Sequence, residues 1–267
     1  MLPVLTQTLR RRRTSLAWWS LAVAGMCALL AVAYPTVRDN NQLDTTFANL
    51  PPGVEALLGL SGGNPLSSPA GYLDSQFFAN ILPVMLLVFS IGLASWSIAG
   101  DEAAGSLELL LANPISRTRV ALARLAALIL LIAALAAVCV LSLIALAPAT
   151  GMNKGLPASH VAAATIATSL LALTFATVAF TVGAATGSRP AALGIASALA
   201  VAGYVLEGLA QQIHALHPTT VINPWHWLLA NDPLQHGLTW RTWALPLAAT
   251  LILALAGLPR LAHRDLH

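Results

Sequence analysis

Four histidines gather in one polar stretch of the chain: His214 and His217 stand one helical turn apart, and His226 and His236 follow. With Glu207 upstream and Asp232 between the last two, this is where metal or acid–base chemistry would be sought. No cysteine or acidic ligand stands at a recognised metal spacing from any of them. Histidines at a membrane–water interface are the plain alternative. A Ser-His-Asp centre needs a nucleophile beside its base, and no H-E-x-x-H metal helix occurs. No catalytic, cofactor-binding or metal-ligating residue is therefore assigned. The chain also lacks G-x-x-x-x-G-K-[ST], so it does not itself cradle nucleotide phosphates.

A second stretch carries recognition chemistry. Asp101 to Arg119 reads DEAAGSLELLLANPISRTR and lies between the apolar runs Phe77 to Gly100 and Val120 to Ala147. Wound as a helix over 101–113, it puts Ala103, Ala104, Leu107, Leu110 and Leu111 on one arc and Asp101, Gly105, Ser106 and Glu108 on the other. Leu109 projects from the polar arc, where water or a partner protein must meet it. Asp101 and Glu102 suit the positive end of the helix dipole, and Asn113-Pro114 ends the helix. This predicts a membrane-surface helix with a docking face made of Asp101, Glu102, Gly105, Ser106, Glu108 and Leu109, with Arg117 and Arg119 beside it.

The elements that position these groups follow from composition. Over 267 residues, 57% are apolar and 9% charged, with mean hydropathy +0.76, which excludes an ordinary soluble fold. A membrane span needs about 20 mostly apolar residues, and six runs qualify: Ser15 to Tyr34, Phe77 to Gly100, Val120 to Ala147, Ser159 to Gly187, Ala191 to Gln211 and Trp243 to Pro259. The expected class is an all-α polytopic membrane protein. Orientation comes from the positive-inside rule. With the N-terminus inside, all 13 Lys and Arg except Arg38, Lys154 and Arg241 fall on the cytoplasmic side, so both termini are expected there. The pI near 9.3 then reports topology, not nucleic-acid binding. Cys27 and Cys139 fall inside spans, which argues against a disulfide framework or a thiolate metal site.

In chain order, residues 1–14 place Leu2, Leu5 and Leu9 at helical spacing before Arg10 to Arg13. That is an amphipathic interfacial helix or a plain topogenic charge cluster ahead of the transmembrane domain, 15–267. The outer loop 35–76 is polar, with Val54, Leu57 and Leu58 able to form a short surface helix. Asn80 and Pro83 sit near the outer end of the second span, where proline is expected to kink the helix. Arg124 is expected to snorkel to the headgroups. Thr165, Thr168, Thr174, Thr177 and Thr181 mark the fourth span. They either bond back to the preceding turn or line a mildly polar path, and Asn80, Thr174, Thr177 and Thr181 are the candidates for such a path. The connection 212–242 holds Pro218, Pro224 and Pro233, and Trp225, Trp227, Trp240 and Trp243 are expected at the interface, so it is read as re-entrant. Glu207 is the acidic residue expected in hydrocarbon. The centres of all six spans lack ionisable residues, unlike proton- or sodium-driven carriers.

The chain resembles the ABC-2 type permeases, the six-span membrane subunits of ATP-binding-cassette exporters. The resemblance is carried by Ala99-Gly100-Asp101-Glu102-Ala103-Ala104-Gly105-Ser106-Leu107-Glu108-Leu109-Leu110-Leu111-Ala112-Asn113-Pro114-Ile115-Ser116-Arg117, with Asp101 where many have Glu. Weaker matches are Leu9 to Arg13, Ser68 to Leu73, Asn223-Pro224-Trp225, Asp232-Pro233-Leu234 and Arg264-Asp265-Leu266. The resemblance implies a multi-pass export subunit of the plasma (inner) membrane that works as a dimer with a second copy or a sister permease, while spans rich in Ala, Leu, Thr and Ser without buried charge favour a hydrophobic or amphipathic substrate. The resemblance also implies separate cytoplasmic ABC ATPase subunits holding ATP and Mg, docked on the coupling helix 101–113, and re-entrant helices over the exit. Two other readings remain open: a lipid-modifying membrane enzyme acting through His226 and Asp232, and a non-transporting scaffold or sensor.

Overall fold

The computed structural model describes residues 2–38, 65–100, 116–210 and 212–263. The described residues form helices and turns, without a strand. In order these are α1 (Leu2–Arg38), α2 (Pro69–Leu73), α3 (Ile81–Ser95), α4 (Arg117–Thr150), α5 (Ala158–Thr186) and α6 (Arg189–Ala210). After them come the short α7 (His217–Thr220), α8 (Pro224–Leu229) and α9 (Pro233–His236), and the long α10 (Trp240–His263). Wide π turns, Asp74–Phe78 and Trp96–Gly100, precede and follow α3. Six helical stretches are long and apolar enough to cross a membrane: α1, α2 with α3, α4, α5, α6 and α10. The predicted helix 101–113, with Asp101, Glu102, Gly105, Ser106, Glu108 and Leu109, lies outside the described residues. So does the segment around Val54, Leu57 and Leu58.

Local chemistry sets the boundaries. Ser68, Asn223 and Asp232 each cap a helix whose first residue is proline, so the missing proline N–H costs no bond. Ser116 caps α4 by accepting the Arg119 N–H at 3.4 Å, which leaves Arg119 exposed in the first turn. Gly151 and Gly187 close α4 and α5 in the left-handed region, φ 78° and 66°, where only glycine sits without strain. α1 continues without a break through Arg10 to Arg13, because arginine is a good helix former. The expected kink at Pro83 is displaced. The helix breaks at Asn80 instead, and Pro83 falls in the first turn of α3, where its absent N–H has no helical partner to lose.

α5 is the central helix, packed against α3, α4, α6 and α10, while α1 lies along α4. Its buried Ala164, Ala167, Ala172, Ala176, Ala179 and Gly183 let neighbours approach closely. The bundle presents apolar side chains outward, including Trp18, Val32, Leu141 and Leu251. Water would make that exposure prohibitive, and a bilayer makes it free. The chain is a multi-pass membrane protein. Arg124 is buried inside the bundle and does not reach outward as its position near a span end predicts.

Candidate functional site

Arg12, Trp96 and Arg189 meet at one end of the bundle, here the arginine end. The guanidinium of Arg189 lies 4.4 Å from the Trp96 ring centroid and that of Arg12 lies 5.6 Å away. One indole therefore joins α1, the turn after α3, and the start of α6. The same ring covers Gly100, where any β-carbon would overlap it, directly before the predicted docking segment.

Between α3 and α6, a cavity of about 420 Å³ runs toward the opposite, loop end. Val84, Leu87, Val88 and Ile91 form one wall, Leu193, Ser197, Ala200 and Val201 the other. Asn80, Tyr204 and Trp225 close the loop end. The Tyr204 hydroxyl donates to Asn80 Oδ1 at 2.7 Å, while Asn80 Nδ2 donates to the Ser75 carbonyl at 3.1 Å. The Trp225 indole meets Tyr204 edge-on at 4.9 Å and donates to the Ala200 carbonyl at 2.9 Å. The groove is thus apolar along its length, and the polar groups at its loop end are bonded to one another or to the backbone, the arrangement that suits a mainly apolar guest.

The four path candidates separate. Asn80 lines the groove. Thr174, Thr177 and Thr181 lie elsewhere: Thr174 and Thr177 donate to the carbonyls one turn back, Leu170 at 2.9 Å and Leu173 at 2.8 Å. Thr181 donates to the Leu253 carbonyl at 2.9 Å, and Thr174 lies 3.4 Å from Thr250 Oγ1, so both face α10. Helix packing takes these hydroxyls, and the groove wall opposite α3 belongs to α6.

Sequence reasoning missed one groove residue and one residue of the arginine end. Trp225, expected at the interface, is 2% exposed and forms part of the groove mouth. Its signal was the Asn223-Pro224-Trp225 string, which specifies a capped helix start. Trp96 passed unnoticed because its partners are far away in the chain.

In the connection between α6 and α10 the histidines diverge. His226 Nδ1 donates to Glu207 Oε1 at 2.8 Å, and from α5 His160 Nδ1 reaches into the connection to donate to the Leu234 carbonyl at 2.8 Å. His214 and His217 meet at a tilt of 51° with ring centroids 4.8 Å apart. The chain does contain one G-x-S-x-G string, Gly59 to Gly63, outside the described residues; that motif works at a strand-to-helix turn, and no strand occurs among the described residues.

Asp232 caps α9 with φ 36°, and Oδ1 accepts the Gln235 N–H at 3.3 Å, while Oδ2 is buried with no hydrogen-bond donor. Burial raises its carboxyl above the ordinary range, against the opposing pull of the Gln235 N–H and His236. A raised folded value means the site is most stable below the ordinary carboxylate range and loses that stability as pH rises through the shifted value. Asp232→Asn keeps the cap and tolerates the left-handed backbone. We expect it to raise the thermal midpoint of the detergent-solubilised protein at pH 7, with the gain shrinking toward pH 4.

Among curated proteins, none matches the chain. A family model described as ABC-2 family transporter protein matches residues 3–266, nearly the whole chain. With six helices among the described residues long and apolar enough to cross a membrane, the chain belongs to the ABC-2 family of membrane transporter proteins.

Proposed function

We propose that the chain is the permease subunit of an ATP-driven exporter, that its substrate is hydrophobic or amphipathic, and that the substrate travels along the groove between α3 and α6. The observation that supports this reading is the groove itself, apolar for most of its length and polar at the loop end. The arginine end faces the cytoplasm of a plasma (inner) membrane protein, with both termini there. The segment from Asp101 to Arg119 docks on a separate ABC ATPase subunit that holds ATP and Mg, and a second permease copy or sister subunit completes the path. Trp96 lies next to that segment and touches both α1 and α6, so a push on the docking helix reaches the groove walls.

The experiment is co-expression with an ABC ATPase, purification, and reconstitution in liposomes. The wild-type chain is expected to retain the ATPase subunit and to show ATP hydrolysis stimulated by amphipathic compounds. Val88→Trp fills the groove from an exposed position of α3 and is expected to remove the stimulation. A wild-type chain that neither retains the ATPase nor responds to any such compound sinks the proposal.

A further inference from the structure

Glu207 is 3% exposed near the end of α6, inside a stretch long and apolar enough to cross the membrane. A carboxylate at that depth is costly unless it is paired. Its partners come from the connection beyond α6. Oε1 accepts from His226 Nδ1 at 2.8 Å and Oε2 accepts from Asn223 Nδ2 at 3.3 Å. Both belong to the first turn of α8, Asn223 as its cap. Asn223 Nδ2 also donates to the Gly203 carbonyl at 2.9 Å. Trp225 lies between these two partners in the chain, and its indole is bonded to Ala200, two helical turns before Glu207. One short helix is therefore tied to α6 at three levels, and the side chain it carries forms the loop end of the groove. The His226 side chain is 36% exposed, so the tie reaches the surface of the bundle.

We propose that Glu207 and His226 form a latch that holds α8 against α6, and that Trp225 is the shutter this latch keeps over the loop end of the groove. Release of the latch lets α8 lift, carries Trp225 off Ala200 and Tyr204, and opens the groove to the loop side. Glu207 and His226 are positioning residues that act through Trp225. The assignment of this opening to substrate exit rests on the exporter reading above.

The test uses the full chain with its ATPase in cells, with Cys27 and Cys139 replaced by alanine and Ser197→Cys placed in the groove. A membrane-impermeant maleimide added outside reports access. His226→Ala, which leaves the buried Glu207 carboxylate without that donor, and Glu207→Ala, which removes the acceptor of both His226 and Asn223, are each expected to raise the resting labelling rate about tenfold or more. The exchanged pair E207H/H226E is expected to bring it back toward wild type. Rescue by exchange distinguishes a latch from a fold defect, which exchange would worsen. Equal labelling in wild type and both single variants overturns the proposal, as does an exchanged pair that labels faster than either. A second arm places E207C/H226C, bridged by a reducible bis-methanethiosulfonate. ATP with vanadate is expected to raise labelling of the groove cysteine in the protein that keeps Glu207 and His226 and not in the bridged one. Bridged protein that still opens overturns the latch. Loss of the ATP response in wild type, with the resting effects intact, overturns the exporter reading and leaves the latch standing.

Discussion

Adding one methyl group at Gly203 is expected to open the loop end of the groove. A β-carbon there would stand 3.0 Å from Trp225 Cδ1 and 3.1 Å from Asn223 Oδ1, both tighter than ordinary contact. Neither neighbour is free to yield, because Trp225 is held by Ala200 and Asn223 by Glu207 and the Gly203 carbonyl. The strain must therefore be relieved by moving α8 as a unit. Against this, alanine gains about 1 kcal/mol over glycine within a helix, while overpacking costs about 1–3 kcal/mol. The two nearly cancel in stability and leave displacement as the visible result. Gly203→Ala should keep its thermal midpoint within a few degrees of wild type and still raise maleimide access to Ser197→Cys. Gly203→Leu should lose both stability and closure. If Gly203→Ala labels like wild type, the contact between α6 and α8 does not close the groove.

Trp96→Ala is expected to break the communication between the two ends. The indole receives two guanidiniums and covers Gly100, so the truncation removes a side chain shared by α1, α6 and the turn after α3. Each cation–π contact contributes about 0.5–1 kcal/mol at an accessible site, too little to unfold the bundle but enough to loosen its arginine end. The variant should insert and remain monodisperse, with ATP hydrolysis by the assembled complex no longer answering to substrate. Trp96→Phe keeps a ring for both arginines and should retain most of the response. Equal stimulation in wild type and Trp96→Ala would show that the signal takes another route.

The contrast between these sites explains what could be read from the sequence. Six spans were legible because hydrophobicity is summed over about 20 residues and survives local exceptions. Caps and proline starts at Ser68, Asn223 and Asp232 are local too, and the chain spells them out. The pairing of Glu207 with His226 crosses 19 residues, and the meeting of Trp96 with Arg12 and Arg189 depends on which helix ends converge. No periodicity encodes such meetings. The threonines show the reverse problem: Thr174 and Thr177 look polar in sequence, but each spends its hydrogen bond on its own helix. A hydroxyl marks a pathway only when its donor is unspent, and that depends on the backbone one turn back.

The two wide turns that bracket α3 have one more consequence. Each is the local trace of an extra residue wound into a helix, and such an insertion offsets everything beyond it by about 100° around the axis. Losing a residue from the turn at Asp74–Phe78 would therefore carry Asn80, anchored to the Ser75 carbonyl, around the axis and shift the break where α3 begins, reshaping the groove mouth with no lining side chain exchanged. On the exporter reading, cargo preference can then drift by single-codon insertion and deletion at a helix margin, a route that surveys of pocket substitutions would overlook.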